Sequence, residues 1–339
     1  MNSPPAAHPP LDWTAARVAV TGGGGFLGSA VMRVLAGRGV DAGRSLAVRS
    51  RDFDLTTREA CRRLMTGTFG GLGPTVVLHC AGAVGGIQAN KDQPGRFFHD
   101  NMAMSLHLID EARRAWSTGA RADAGVLVQV GSMTSYPADA PIPFREECLW
   151  RGYPDGASAP YGVAKLAAWQ MLDAYHRQYG LRAAYVIPVN LYGPGDNIAD
   201  VRNAHVAGSL IKRFVDAHRA GDASVACWGS GAPTREFLYI DDAAEGVVRA
   251  AEHAWSGGGD PAPINLGSGH EISIRHLAEV IACAIGYSGR IDWDITKPDG
   301  QPRRCLDPAR AAAMLGWRAQ MPLEQGIRQT VAWYRSTLV

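Results

Sequence analysis

From Arg17 onward, short β-branched runs alternate with longer stretches whose apolar residues recur at helical spacing. That rhythm marks βαβ units stacked into a parallel sheet with helices on both faces. Val18 to Thr21, Ser45 to Val48, Thr75 to His79, Val126 to Val130 and Ala183 to Pro188 are expected strands. Between them, Gly28 to Ala36, Thr57 to Met65, Arg96 to Arg114 and Ala164 to Tyr179 pair an apolar stripe with a charged face, as surface helices do. After Asn190 the pattern changes to loops rich in Gly, Pro, Asn and Asp with shorter elements, ending in an amphipathic stretch near Leu323 to Tyr334. The expectation is an α/β chain with a doubly wound parallel sheet over residues 15–190. A smaller C-terminal lobe over 191–339 follows, some of whose strands and helices return to the first unit.

Length agrees with this division, since 339 residues at roughly 150 per domain suggest about two units. Residues 1–14, rich in Pro and Ala, read as a disordered tail; they lack the charge cluster and apolar run of a signal peptide. The 34 basic and 32 acidic residues leave a net charge of +2, too little to draw the chain to nucleic acid or anionic lipid. No apolar stretch is long enough to cross a bilayer. The six cysteines show no CxxC or CxH spacing, so they read as reduced thiols of a cytoplasmic protein, with no metal site. A small molecule is the expected partner.

The first expected strand runs into Thr21-Gly22-Gly-Gly-Gly25-Phe26-Leu27-Gly28, with glycines at 22, 25 and 28 ahead of a helix. Such glycines permit a tight turn, close backbone approach to a pyrophosphate and tight helix packing, while the helix N-terminus supplies N–H donors. A glycine turn with no ligand gives the same local pattern, but its place in a first βαβ unit favours a dinucleotide and a Rossmann-like sheet. The second strand ends in Val48-Arg49-Ser50-Arg51, where a carboxylate would select a free ribose 2′-hydroxyl. Arg49 and Arg51 suit a 2′-phosphate instead, so NADP(H) is the expected cofactor; two solvated surface arginines would look the same.

Tyr161-Gly-Val-Ala-Lys165 opens an expected helix and places phenol and ammonium on one face. A nearby cation favours phenolate, so Lys165 is expected to lower the Tyr161 pKa towards the range for proton exchange with a carbonyl oxygen. An exposed helix pair has the same spacing. Here, however, it follows a strand ending in Gly131-Ser132, whose hydroxyl would hold that carbonyl.

With these parts in order, the chain resembles the extended short-chain dehydrogenase/reductase family, from about Val18 to Tyr334. Within it, four stretches are similar to the GDP-L-fucose synthase branch, whose members are epimerase-reductases acting on a GDP-linked 4-keto-6-deoxy sugar. They are Val84 to Asn90, Asn190 to Asn197, Trp228 to Asp242 and Lys297 to Arg303. The resemblance implies that Ser132 and Tyr161 bind the sugar 4-keto oxygen, that Tyr161 protonates it, and that Lys165 tunes Tyr161 and holds the nicotinamide ribose. It extends the cofactor site to Ala81 and Pro188. It places Asn190, His205, Trp228, Arg235 and Lys297 along a nucleotide-sugar site in the second lobe, although a tryptophan beside a glycine turn is as often core packing. It also implies a homodimer through the helices near Arg96 to Arg114 and Ala164 to Tyr179, whose apolar faces the sheet could equally satisfy.

One position departs from the pattern. Inversion at sugar carbons 3 and 5 in that branch uses a cysteine two residues after the serine and a histidine in an Asn-Ser-His stretch. Asn203-Ala204-His205 keeps the histidine, but Thr134 stands where the thiol belongs, and an alcohol is a poor base. Cys148 in the following loop is a conceivable substitute and more simply an idle thiol. The leading expectation is a 4-ketoreductase with C3/C5 epimerase activity weak or lost. The alternatives are a full 3,5-epimerase/4-reductase, an NAD-dependent 4-epimerase or dehydratase, and a non-catalytic dinucleotide sensor or scaffold.

Overall fold

The expected strands form where the β-branched runs lie: β1 (Val18–Thr21), β2 (Ser45–Val48), β3 (Val76–His79), β4 (Val126–Val130) and β5 (Ala183–Pro188). In the computed structural model, which describes residues 9–116, 125–198, 205–257, 259–297 and 299–338, every residue of β1, β3 and β4 is buried. A strand buried on both faces requires helices on both sides. These are α1 (Phe26–Gly37), α2 (Arg58–Gly67), α3 (Ile87–Asp92), α4 (Pro94–Trp116) and α5 (Ala159–Tyr179). Thr57 caps α2 by accepting from the Ala60 N–H. Pro160 sits in the first turn of α5, where its missing donor costs nothing, so this helix begins at Ala159 rather than Ala164.

The second half contributes β6 (Asn190–Tyr192), α6 (Val206–Ala220), β7 (Ser224–Trp228), β8 (Thr234–Tyr239) and α7 (Ile240–Trp255). It continues with β9 (Pro263–Leu266), β10 (Glu271–Ser273), α8 (Ile274–Ile285), β11 (Arg290–Asp294), α9 (Ala309–Leu315) and α10 (Leu323–Ser336). The main sheet has the order β2-β1-β3-β4-β5-β9 with every neighbouring pair parallel, so β9 crosses the boundary drawn at residue 190. Helices α2, α4 and α5 pack as one layer, and α1 packs with α7. The second lobe is built on two small sheets, β10-β8-β6 and β11-β7.

Because β2 and β3 flank β1, the strand order reverses direction there, and a crevice opens at the carboxyl ends of β1 and β3. Thr21 and His79 are register partners at that edge, joined by a buried 2.6 Å hydrogen bond between Thr21 Oγ1 and His79 Nδ1. The Ala81 N–H also donates to Thr21 Oγ1, which fixes the start of the next loop over the glycine turn. Residues 1–8 of the expected tail lie outside the described residues. At its other end the tail is packed: Trp13 is buried and its Nε1 donates to Glu252 at 2.8 Å.

Candidate active site

The glycine turn is shaped by contacts that no side chain would survive. Gly22 has φ of +66°, and a Cβ there would lie 2.9 Å from Ala81 Cα. At Gly28 it would lie 2.1 Å from the Gly22 carbonyl, so α1 can only pack this close with glycine. Gly25 precedes the first residue of α1, and the N–H groups of Phe26 and Leu27, in the first turn where no intrahelical acceptor exists, suit an anion at that helix N-terminus.

Two adjoining clefts share Gly22, Gly25, Ala81 and Gly82. The larger, about 790 Å³, is lined by Arg49 and Ser50 from the end of β2, by Asp54 to Thr56, and by Arg96, Asp100 and Met104 from one face of α4. Arg49 lies over Gly24, where an added Cβ would meet its Nε at 3.0 Å. The other cleft, about 370 Å³, holds Phe26, Leu27, Ser132, Thr134, Tyr161, Lys165, Pro188, Asn190, His205 and Arg304. A cleft that runs over a glycine cradle, with a cation at one end and a Ser/Tyr/Lys group at the other, fits an extended dinucleotide phosphate. Arg51 is exposed, stands 3.7 Å from Asp52, and lines neither cleft. Arg96 is the second cation of the larger cleft. Its spacing with Asp100 and Met104 on α4 was the available sequence signal.

The reacting group is assembled by short-range packing. Ser132 lies two residues past the end of β4 and caps the turn Met133–Ser135. Ser135 Oγ donates to the Gly162 carbonyl at 2.8 Å, and a Cβ on Gly162 would lie 2.4 Å from the Thr134 carbonyl. Glycine at 162 therefore lets α5 touch the turn, which brings Tyr161 within hydrogen-bonding reach of Ser132. Tyr185 of β5 anchors α5 from below by donating to the Lys165 carbonyl at 3.0 Å.

Burial dominates the electrostatics here. Lys165 is 3% exposed; its Nζ donates to the carbonyls of Val130 at 3.2 Å and Ala81 at 3.5 Å and lies 5.9 Å from the Tyr161 ring centre. Loss of solvent lowers its pKa to about 8. The same loss pushes Tyr161 up to about 12, against a hydrogen bond from Ser132 that pulls it down. Tyr161 is thus raised by burial where a lowering by Lys165 was expected, and the ammonium donates to two carbonyls. Thr134 Oγ1 sits 2.8 Å from Ser132 Oγ.

Across the cleft, Asn190 Nδ2 donates to the Glu236 carbonyl at 2.9 Å, and His205 stands exposed immediately before α6. Asn203 and Ala204 of its motif lie outside the described residues. Burial raises the neighbouring Asp196, and His205 counters it. Arg304 reaches this cleft from the second lobe, one residue past the Lys297 to Arg303 stretch, and the sequence reading missed it. Burial lowers its pKa, as does Arg235, a second half-buried guanidinium. Arg235 donates to the carbonyls of Thr234 and Gln301 at 2.6 and 2.8 Å and lines neither cleft. Trp228 is 66% exposed with Arg213 and Lys297 at 5.3 and 6.0 Å from its ring, so it is a surface platform and not core packing. Cys148 is buried outside the cleft; the cleft thiol is Cys80, raised to about 12 by burial. Among the described residues no carboxylate lines the catalytic cleft.

No helix among the described residues is long and apolar enough to span a membrane. Residues 18–267 match the family model described as the NAD dependent epimerase/dehydratase family. The GDP-L-fucose synthase of Escherichia coli (strain K12) is 37% identical over 94% of this chain and 96% of its own length. A probable GDP-L-fucose synthase 1 of Oryza sativa subsp. japonica is 35% identical over 95% of this chain and 93% of its own. Among solved structures, a GDP-L-fucose synthetase from Naegleria fowleri bound to NADP superposes with a TM-score of 0.81 at 26% identity, covering 95% of this chain and 94% of that one. Glycine cradle, Ser132, Tyr161, Lys165 and these matches agree, and the chain belongs to the NAD dependent epimerase/dehydratase family.

Proposed function

We propose that this oxidoreductase uses NADPH to reduce the 4-keto group of a GDP-linked 6-deoxy-4-keto sugar, with inversion at carbons 3 and 5 weak or lost. The observation that carries the reading is the meeting of Ser132, Tyr161 and Lys165 at one end of a cleft whose other end presents Arg49. The bound cofactor supplies the hydride to the carbonyl carbon. Tyr161, held protonated through the neutral range by burial, gives its proton to the carbonyl oxygen, and Ser132 donates a hydrogen bond to the same oxygen. The phenolate left behind is stabilised by the Lys165 ammonium and by Ser132. Arg304 supplies from the cleft lining a cation that a sugar-linked diphosphate requires, while Lys297 beside Trp228 lies outside the cleft, where the indole offers a face for the base.

Inversion next to the ketone needs groups that remove and return carbon-bound protons. The cleft offers His205, an alcohol at Thr134 and a thiol at Cys80 whose pKa is far above neutrality. The lack of a lining carboxylate among the described residues also weighs against elimination of water.

The test is NADPH oxidation, followed by absorbance, with GDP-4-keto-6-deoxy-mannose in heavy water and NMR of the product. One NADPH consumed per sugar without deuterium at carbons 3 and 5 is expected. Deuterium at either carbon refutes the loss of inversion, and no turnover across a panel of keto sugars refutes the reductase.

A further inference from the structure

We propose that Thr134 is a positioning residue for carbonyl reduction: it occupies the acceptor side of the Ser132 hydroxyl and thereby commits the Ser132 proton to the substrate oxygen. This rests on the 4-ketoreductase reading. A serine hydroxyl carries one proton and two acceptor lone pairs, so its direction is set by what surrounds it. Ser132 Oγ accepts from the Thr134 N–H at 3.2 Å, and Thr134 Oγ1 lies 2.8 Å away. Among the described residues Ser132 Oγ is the only hydrogen-bond partner of the Thr134 hydroxyl. With Thr134 O–H donating, both lone pairs of Ser132 are filled, and its proton is directed into the cleft towards Tyr161 and the site of the ketone. In the reverse direction Ser132 would spend its proton on Thr134 and could not donate to substrate.

The turn enforces this arrangement. Ser132 is extended, with φ of −155° and ψ of 141°, and Met133–Ser135 makes one tight turn that Ser135 pins to α5 through Gly162. Hydroxyl and amide of one residue therefore reach the same oxygen. Thr134 is thus placed to act on the reduction through Ser132, without itself removing a proton from the sugar.

The experiment compares Thr134→Val, which keeps the shape and loses the hydroxyl, with Thr134→Ser, which keeps the hydroxyl and loses the methyl. Steady-state reduction is measured against pH. For Val, kcat should fall about tenfold while KM changes little, because Ser132 then fails mainly in the transition state. The alkaline limb, which follows Lys165, should stay near pH 8 in every variant, because the lost hydroxyl acts on Ser132 and not on the ammonium. The titratable and charged groups facing Tyr161 are Lys165 on α5, His79 at the end of β3 and Cys80 just beyond it, Tyr185 on β5, and His205 and Arg304 across the cleft. Thr134→Ser should recover most of kcat. If Val matches wild type, or Ser is the worse of the two, Thr134 is a packing residue and the proposal falls. If Val fails to fold, Thr134→Ala against Thr134→Ser gives the same ranking test. Deuterium at carbon 3 or 5 that vanishes in Thr134→Val would overturn the proposal in favour of a direct proton relay. Wild type inactive on all keto sugars removes the parent reading as well, whereas active wild type with an equally active Val variant removes this inference alone.

Discussion

Lys165 lies with its ammonium 5.9 Å from the centre of the Tyr161 ring while donating to the Val130 carbonyl at 3.2 Å. The pair therefore acts through the field of a buried charge and not through a direct bond. In the proposed reduction the phenol keeps its proton until a carbonyl takes it, and the ammonium lowers the energy of the anion that remains.

Tyr161→Phe should lower kcat by about 10² to 10⁴-fold while leaving cofactor binding within about twofold. Stopped-flow reduction and fluorescence titration with NADPH check the two halves. With Tyr161 titrating at about 12 and Lys165 at about 8, the first loss of rate on the alkaline side should follow Lys165. The pH profile should be flat below about 8 and fall above it as the ammonium disappears.

The same lysine should cost stability. Its folded-state pKa of about 8 lies below the ordinary 10.5, so the folded chain binds this proton less readily than the unfolded chain. The penalty is complete below about pH 8, is relieved as pH rises to 10.5, and amounts to about 3 kcal/mol at neutrality. Lys165→Met should therefore raise the thermal midpoint of the cofactor-free protein at pH 7 while nearly abolishing reduction, as differential scanning calorimetry and kinetics would record.

Arg49→Ala should weaken NADPH binding by about tenfold or more and leave NADH binding nearly unchanged, since only the former carries the 2′-phosphate. Arg51→Ala should change neither, because its side chain lies outside the cleft. Calorimetric titration of both variants with both cofactors separates the two arginines.

Arg304→Ala should raise KM for the nucleotide sugar by about tenfold with a smaller change in kcat. A guanidinium lining the catalytic cleft that gives up solvent near Arg235 is poised for an anion. Initial rates at several salt concentrations test this: the wild-type KM should rise with salt more steeply than that of the variant.

The sheet was legible because its central strands are buried on both faces and read as nearly continuous apolar runs, as at Val18 to Val20 and Val76 to Leu78. The glycine turn was legible because its contacts forbid side chains at fixed spacing. Arg49, Arg51 and Arg96 show where reading stops. Adjacent residues of a loop share no periodicity that says which one faces a cleft, and Arg96 comes from a helix about 45 residues later. Local spacing also misjudged the Tyr161/Lys165 balance, since i to i+4 geometry reports proximity and says nothing of the carbonyls of Val130 and Ala81 that claim the ammonium. Arg304 depended on tertiary packing alone.

Strand β9 is drawn from the second half of the chain yet forms the far edge of the main sheet beside β5. Cutting the polypeptide near residue 190 would strip that edge and leave the buried strand Ala183–Pro188 with open backbone groups, an invitation to pair with another molecule. The halves are thus interlocked: neither can be expressed as a module or exchanged with a relative without carrying the other along. Heat should melt them in one transition.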